Sequence, residues 1–160
     1  MGKASGYASI PEPGMGKRGE HGHLGYLLRQ AAGAFRLRLE RAMADLEVTQ
    51  PQFAVLTMLA NYPGLSNADL ARLALLTPQT VSVIVSNLER GGAIFRQPHS
   101  VHGRIQHIEL TEKGKKLLAC CKKRVRAIEQ EITSGLSADE EATVRRWLAN
   151  IALPESRRGS

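Results

Sequence analysis

The segment of residues 76–92, LTPQTVSVIVSNLERGG, carries a complete set of helix boundary signals. Thr77 is a typical N-cap residue, and Pro78 is favoured at the first helical position because its missing N–H is not needed there. The glycine pair after Arg90 is typical of a helix end. At about 100° per residue, the aliphatic side chains fall on one narrow arc that must face a core: Val81, Ile84, Val85 and Leu88.

The opposite arc of this helix has short, hydrogen-bonding side chains and no acidic group. It holds Gln79, Val83, Ser86 and Arg90, with Ser82 and Asn87 beside it. Such a face fits the major groove of DNA, because phosphates repel carboxylates and bulky side chains hold a helix away from base edges. Amide side chains can bond adenine, and a valine can touch a thymine methyl group. An ordinary polar surface with one exposed valine is the alternative, and this helix alone does not decide between the two.

The neighbouring segments predict a winged helix-turn-helix. Residues 49–64 predict a helix that begins at the N-cap Thr49, and Ser66 with Asp69 has the capping-box spacing that begins a short helix. Residues 93–110 have strand character on both sides of a turn, which predicts a hairpin. A short helix, a tight turn, a longer helix and a hairpin in this order are typical of a winged helix-turn-helix. The expected fold class is therefore mainly α with a small β-hairpin wing.

The hairpin is basic and the first helix is apolar on two sides. Arginines of a wing can enter the minor groove, and here the wing carries Arg96, His99, His102 and Arg104. Residues 24–46 predict a helix with one stripe of Leu24, Leu28, Ala31, Phe35, Ala42 and Leu46. The nearly opposite stripe comprises Tyr26, Gly33, Leu37 and Ala44. The second stripe meets either a symmetry mate or another part of the same monomer, and both alternatives stay open.

Two more helices are predicted after the hairpin. A long helix starts at Thr111, with an apolar side made of Leu117, Cys121, Val125, Ile128 and Ile132. A final helix starts at Ser137, which has Glu140 at capping-box spacing, and ends near residue 151. We expect this final helix to bury Val144, Trp147, Leu148 and Ile151.

The chain resembles the MarR family of bacterial winged-helix regulators over residues 24–152. The resemblance rests on LTPQTVSVIVSNLERGGAIFRQ as turn and recognition helix, and on HGRIQHIELTEKGKKL as the wing followed by a Leu-Thr-x-x-Gly helix start. Members of that family are homodimers in which the first and last helices interlock. They bind double-stranded DNA, and many bind small phenolic or aromatic acids between the dimer helices and the winged domain.

The residue patterns and the resemblance together predict a division of the chain and a set of site residues. The expected parts are a flexible tail (1–20), a first dimerisation helix (21–48), a DNA-binding winged helix-turn-helix (49–110), C-terminal dimerisation helices (111–153) and a second tail (154–160). The expected DNA-binding residues are Ser66, Thr77, Gln79, Thr80, Ser82, Val83, Ser86, Asn87, Arg90, Arg96, His102 and Arg104. A small anionic aromatic effector is expected near Tyr26, Arg29 and Arg36, although Arg36 and Glu40 have the spacing of a helical ion pair.

Two positions depart from the family pattern. His102 stands where the family usually has an Asp that holds the wing arginine, here Arg104. The wing is therefore expected to be looser, or to change its grip as the histidine titrates near pH 6 to 7. Val83 stands where several members have Arg, so their operator preferences cannot be transferred.

Composition excludes several other classes. The chain has 160 residues and a formal net charge of +7, which favours a polyanionic partner without proving one. Its cysteines, Cys120 and Cys121, are neighbours that could join only in a strained ring, so no disulfide framework is expected and a reducing cytoplasm is favoured. No apolar stretch is long enough for a signal sequence or a membrane span.

No catalytic motif is present, and neither a cofactor nor a metal is expected. The pairs His21, His23 and His99, His102 are better explained as solvated side chains than as ligands. Packed thiols are a better explanation of Cys120 and Cys121 than redox sensing, although neighbouring basic residues keep that alternative open. The predicted function is a DNA-binding repressor of a pseudo-palindromic operator, released by an effector. The alternatives are an architectural DNA-binding protein without an effector and, further off, a winged-helix adaptor.

Overall fold

The computed structural model describes residues 10–98 and 106–153. Its main elements are α1 (Leu24–Met43), α2 (Gln50–Asn61), α3 (Asn67–Ala74), α4 (Pro78–Arg90), β1 (Ile94–Pro98), β2 (Gln106–Leu110), α5 (Glu112–Thr133) and α6 (Ala138–Ile151). Short 3-10 helices lie at Gly16–Arg18 and Ala44–Leu46. The two strands pair antiparallel, with Ile94 opposite Leu110. The predicted fold class, a mainly helical chain with a hairpin wing, is confirmed.

Side-chain caps fix where the helices begin. Complete capping boxes start α2, α3 and α6, with the N-caps Thr49, Ser66 and Ser137. Thr77 caps α4 and Thr111 caps α5 by accepting a hydrogen bond from the backbone N–H three residues on. Each cap satisfies backbone donors that a helix leaves unpaired at its start. All five helix starts lie where these sequence signals predict them.

The larger core joins α2, α3, α4 and the hairpin. It contains the four aliphatic side chains that the sequence places on the inner arc of α4, of which Val81 and Val85 are completely buried. Ile94 and Ile108 fill it from the hairpin. The N–H of Ile108 donates to the carbonyl oxygen of Leu65 at 3.1 Å, which ties β2 to the segment before α3. The hairpin is thus held directly against the helix-turn-helix.

A second core joins α1 to α5. Its buried members are Leu39, Met43, Val48, Cys121, Val125 and Ile128. Arg124 supports it by donating to the carbonyl oxygen of Ala42 at 2.5 Å and to both carboxylate oxygens of Asp45. Arg38 on α1 also pairs with Glu131 on α5 at 3.2 Å. This core places α1 along the long helix that follows the wing.

The predicted apolar stripes of α1 need correction. The residues of α1 that its own chain buries are Leu39 and Met43, which belong to neither stripe. Leu24 and Leu28, which were expected to face the core, are exposed, because the helix packs through its C-terminal half. Leu37 of the second stripe is 47% exposed. Phe35, Ala42 and Leu46 of the first stripe are half-buried against the second core, so the prediction is confirmed for the C-terminal half of that stripe only.

The expected burial on α6 is wrong for this chain by itself. α6 buries no side chain among the described residues. Val144, Trp147 and Leu148 are each about two-fifths exposed, and Ile151 is half-buried. Ile132 near the end of α5 is also exposed rather than part of the buried stripe. The periodicity predicted the helix correctly, but a periodic pattern does not say which surface covers the apolar side.

No single helix of the described residues is both long and apolar enough to cross a bilayer. The bent pair of α3 and α4 reaches the required length and composition only when its members are added together. Part of the predicted N-terminal tail is structured: within residues 10–20, Arg18 donates to the carbonyl oxygen of Pro11 at 2.6 Å beside the first 3-10 helix. The expected tails at residues 1–9 and 154–160 lie outside the described residues.

Candidate nucleic-acid interface

The outward side of α4 is open to solvent along its whole length. Its exposed side chains are Gln79, Ser82, Val83, Ser86, Asn87 and Arg90. Val83 at the centre is 61% exposed, while Val81 and Val85 on the other side are completely buried. Burying an aliphatic side chain stabilises by about 1.5 to 3 kcal/mol, so the inner side fixes the helix rotation firmly. The outer arc is therefore presented as a continuous, acid-free surface.

The turn between α3 and α4 sets the angle at which this surface is presented. The two helices are bent by 112°, which lies within the range of about 90 to 120° that is typical of helix-turn-helix motifs. Leu75 makes the turn with a left-handed backbone (φ 54°), and its cap N–H donates to the carbonyl oxygen of Ala71. The next residues, Leu76 and Thr77, lead directly into α4. The turn is short because the left-handed backbone of Leu75 alone ends α3 and redirects the chain toward α4.

Three hydroxyl groups that were predicted to contact DNA form hydrogen bonds within the N-terminal caps of α3 and α4. Ser66 is half-buried, donates to Asp69 Oδ2 at 2.6 Å and accepts from the Asp69 backbone N–H at 3.3 Å. The Ser66 hydroxyl and the Ser66 backbone N–H both donate to Asp69 Oδ2 and, with Arg72, hold the pKa of the Asp69 carboxyl below its ordinary value. Thr77 and Thr80 are exposed, and their hydroxyl oxygens lie 2.8 Å apart. The capping roles are clear from the structure, and contact of these residues with DNA stays a prediction.

Ser82, beside the outer arc, forms hydrogen bonds on two sides. Its hydroxyl donates to the carbonyl oxygen of Pro78 at 2.9 Å and accepts from the side-chain amide of Asn67 at 3.4 Å. Asn67 is half-buried, and its Oδ1 atom is buried without a hydrogen-bond partner among the described residues. Sequence reasoning missed Asn67, because nothing in the pattern shows that the start of α3 touches the second turn of α4.

The C-terminal end of α4 is held by the start of α5. Lys113 Nζ donates to the carbonyl oxygen of Gly91 at 2.7 Å, and Thr111 Oγ1 donates to that of Gly92 at 2.6 Å. A Cβ atom on Gly114 would lie 1.9 Å from the carbonyl oxygen of Ala93. The Leu-Thr-x-x-Gly segment therefore needs its glycine for a close backbone contact. The sequence contained this motif, but its physical reason becomes visible only in the structure.

Arg96 is held by the recognition helix. It lies on β1 with its side chain 30% exposed, and its Nε lies 3.3 Å from Glu89 Oε2 near the end of α4. The ion pair links the wing to the helix. Contact of Arg96 with DNA stays a prediction. The expected contacts of His102 and Arg104 lie outside the described residues.

Comparison with known proteins identifies the family. The MarR family model matches residues 46–105. The HTH-type transcriptional repressor Rv2887 of Mycobacterium tuberculosis is 34% identical over 128 residues, covering 80% of this chain and 92% of that protein. The chain belongs to the MarR family. This MarR-family protein is thus a DNA-binding transcriptional regulator, and the expectation that it is not an enzyme is confirmed.

Solved structures of other regulators superpose on this MarR-family chain. The transcriptional repressor CouR, bound to a 23-mer DNA duplex, is 28% identical with a TM-score of 0.79, covering 91% of this chain and 100% of that chain. The PcaV regulator from Streptomyces coelicolor, in complex with its natural ligand, is 30% identical with a TM-score of 0.73, covering 82% and 92%. Rv2887 in complex with salicylic acid is 33% identical with a TM-score of 0.66, covering 83% and 98%.

The expected effector residues of this MarR-family protein lie on α1. Tyr26 is half-buried, and Arg29 and Arg36 are exposed. Arg36 donates to Glu40 Oε1 at 3.1 Å, which is the surface pair that the spacing indicated. An anion would have to compete with this carboxylate for Arg36, whereas no ion pair of Arg29 occurs among the described residues.

The two thiols differ in environment. Cys121 is completely buried in the core between α1 and α5, and burial raises the pKa of its thiol. Because the thiolate is the reactive form, the raised pKa makes this thiol less reactive. Cys120, the preceding residue of α5, is exposed. Packing thus explains Cys121, in line with the structural role that the sequence favoured.

Proposed function

We propose that this protein is a repressor that binds a pseudo-palindromic operator as a homodimer and is released by a small aromatic acid. Each subunit places one α4 helix in the major groove of a half-site, and the wing contacts the flanking minor groove. The observation that carries this proposal is the open, acid-free outer surface of α4. The likeness to CouR on a DNA duplex supports the same use of the fold.

The division of labour within the interface follows from the chemistry of the side chains. Gln79 and Asn87 read base edges by hydrogen bonds, Val83 touches a thymine methyl group, and Arg90 contacts phosphate or guanine. Residues 49–110 form the DNA-binding region. Helix α4 carries few charges, so most of the electrostatic attraction to DNA comes from the basic wing. Within the wing, Arg104 is assigned to the minor groove.

Dimerisation explains the apolar side chains that this chain leaves uncovered. They lie on α1, at the end of α5, in the connection that follows it and on α6: Leu24, Leu28, Leu37, Ile132, Leu136, Val144, Trp147 and Leu148. Isolated exposed apolar residues are normal, but several on the terminal helices are typical of an interface. We assign residues 21–48 and 111–153 to a homodimer interface, which sets the distance between the two α4 helices.

The effector is assigned to the region between the dimer helices and the DNA-binding region. Rv2887 with salicylic acid and PcaV with its natural ligand support a small-molecule ligand in proteins of this shape. On this chain, Arg29 and Arg36 supply positive charge on one side of α1, and Tyr26 supplies an aromatic ring. A ligand that favours a dimer with the wrong α4 spacing releases the operator by a population shift. Such a regulator acts in the cytoplasm, where the chromosome lies.

Selection of bound fragments from genomic DNA tests the proposed function. We expect a small set of fragments with two inverted half-sites, bound by a dimer whose mass is verified by ultracentrifugation.

Salicylate should weaken binding, while uncharged salicylamide should do so much less. Arg29→Met should reduce the salicylate response, and Arg41→Met, at an exposed position in the last turn of α1, is the matched control. Equal retardation of every duplex would favour the architectural alternative, and absence of binding at low salt would refute DNA binding.

A further inference from the structure

We propose that Asn67 is a specificity-determining residue that fixes the Ser82 hydroxyl as a hydrogen-bond acceptor toward the operator. This inference rests on the proposed function, in which the outer surface of α4 faces base edges. It assigns a chemical class to one operator position: a base that presents an exocyclic amino group, which is adenine or cytosine. Asn67 lies on α3 and acts through Ser82, so it is a positioning residue.

The hydrogen bonds of Ser82 carry the inference. A serine hydroxyl has one proton to donate and two lone pairs that accept. The proton is engaged by the carbonyl oxygen of Pro78 at 2.9 Å, and one lone pair is engaged by Asn67 Nδ2 at 3.4 Å. One lone pair remains. Because Ser82 is exposed beside the outer arc of α4, that lone pair is available to a donor in the groove.

The chemistry of the major groove turns this geometry into a base preference. Adenine N6 and cytosine N4 are donors there, whereas guanine O6 and N7 and thymine O4 are acceptors. A hydroxyl that can only accept will bind the first two bases and leave the last three unpaired. A freely rotating serine hydroxyl would instead serve either class, which is why serine alone normally specifies little.

Asn67 itself is held in place by the start of α3. It is the first residue of that helix and follows the N-cap Ser66, whose capping box with Asp69 has both hydrogen bonds formed. Arg72 pairs with the same carboxylate and tightens the turn. The buried Oδ1 of Asn67 has no partner among the described residues, so no other donor competes for the amide. If the amide were reversed, Oδ1 and the Pro78 carbonyl oxygen would compete for the one Ser82 proton, and the hydroxyl would still present only an acceptor.

Affinities for single-base-pair variants of a selected operator test the inference. Ser82→Ala identifies the base pair concerned, because only that position changes its preference. At this pair we expect the wild type to favour adenine or cytosine about fivefold, the worth of one neutral hydrogen bond. Asn67→Ala should abolish this preference, because without the Nδ2 donor the hydroxyl can rotate away from the Pro78 carbonyl and donate to a base; the preferences at all other positions should stay unchanged. Asn61→Ala, at the exposed end of α2, is the control and should behave as the wild type.

Two features keep the test independent of folding. The preference is a ratio of affinities, so a smaller folded fraction of Asn67→Ala does not change it. Removal of the amino group, with purine in place of adenine or pyrimidin-2-one in place of cytosine, should weaken wild-type binding about fivefold and that of Asn67→Ala much less.

Three results would overturn the inference: a wild-type preference for guanine or thymine at this pair, an unchanged preference in Asn67→Ala, or no positional change in Ser82→Ala. In these cases the wild type still prefers its operator, and the proposed function stands. A wild type that does not distinguish the operator from a scrambled duplex would overturn both.

Discussion

The backbone of Ala93 and that of Gly114 are in direct contact, because a Cβ atom on Gly114 would lie 1.9 Å from the Ala93 carbonyl oxygen. This contact fixes the start of α5 against the segment that leaves α4. The same region includes the hydrogen bonds from Thr111 and Lys113 to the glycine pair after α4. The position of the recognition helix therefore depends on α5 as well as on its own core.

Gly114→Ala should destabilise the protein by about 2 to 3 kcal/mol, because neither backbone can move without disturbing the core. Urea unfolding followed by circular dichroism measures the change. Gly25→Ala on α1 is the matched control, since a Cβ atom there meets nothing within 4 Å. The control should be neutral or slightly stabilising, as alanine favours helices. Equal unfolding midpoints for the two variants would contradict the account of this contact.

Leu75, which has a left-handed backbone, is a position where substitution should not lower the free energy of unfolding. Its φ of 54° is unfavourable for a leucine, and its side chain is 89% exposed, so little packing would be lost on truncation. Leu75→Gly should therefore leave the free energy of unfolding unchanged or raise it by up to about 1 kcal/mol. Leu76→Gly next to it should destabilise, because Leu76 is half-buried against the winged-helix core. Destabilisation of similar size in both variants would show that the turn is not strained.

The ion pair of Asp45 and Arg124 predicts an acid-dependent stability. Hydrogen bonds from Arg124 hold the pKa of the Asp45 carboxyl below its ordinary value of 3.8. Because the folded-state pKa is the lower one, the stabilisation is fully present above pH 3.8 and is lost as the pH falls through the folded-state value. The difference in melting temperature between wild type and Asp45→Asn should be constant near neutral pH and shrink below pH about 4.

Other carboxyl groups also contribute to acid unfolding, so the effect of Asp45 must be measured against a variant that lacks its partner Arg124. In an Arg124→Met variant, Asp45→Asn should no longer change the pH dependence, because the cause of the lowered pKa is gone. A pH-dependent difference that survives in this background would assign the effect to another group.

The pair of Glu89 and Arg96 predicts how the wing contributes to DNA affinity. If Arg96 mainly neutralises Glu89 and positions the wing, Arg96→Ala should weaken operator binding in the wild type but much less in a Glu89→Gln background. A direct phosphate contact instead predicts the same loss in both backgrounds and a salt slope smaller by about 1. Affinities at several salt concentrations distinguish these outcomes, and the second one would restore Arg96 to the set of direct contacts.

The helix starts could be predicted from the sequence because capping is local. Thr49, Ser66, Thr77, Thr111 and Ser137 each act on backbone groups within three residues, and each starts a helix where predicted. The inner arc of α4 was also predictable, since its rotation follows from the spacing of its aliphatic residues.

The errors concern contacts between distant segments. The pattern of α6 indicated an apolar side but not what covers it, so Trp147 was expected in the core and is 41% exposed. On α1 the buried residues are Leu39 and Met43, because packing against α5 selects an arc at the edge of the predicted stripe. Glu89, the partner of Arg96, and Asn67, which donates to Ser82, lie on other elements, and no spacing along the chain indicates them.

Val83 tests the central claim most directly, because it lies at the centre of the exposed surface of α4 and packs against no core. We expect Val83→Glu to keep the melting temperature of the wild type, since the side chain is 61% exposed. It should lose operator binding, because a carboxylate is placed against the bases and phosphates. Gln130→Glu, at an exposed position on α5, adds the same charge and should retain binding. Wild-type operator affinity in Val83→Glu would contradict the claim that this surface enters the major groove.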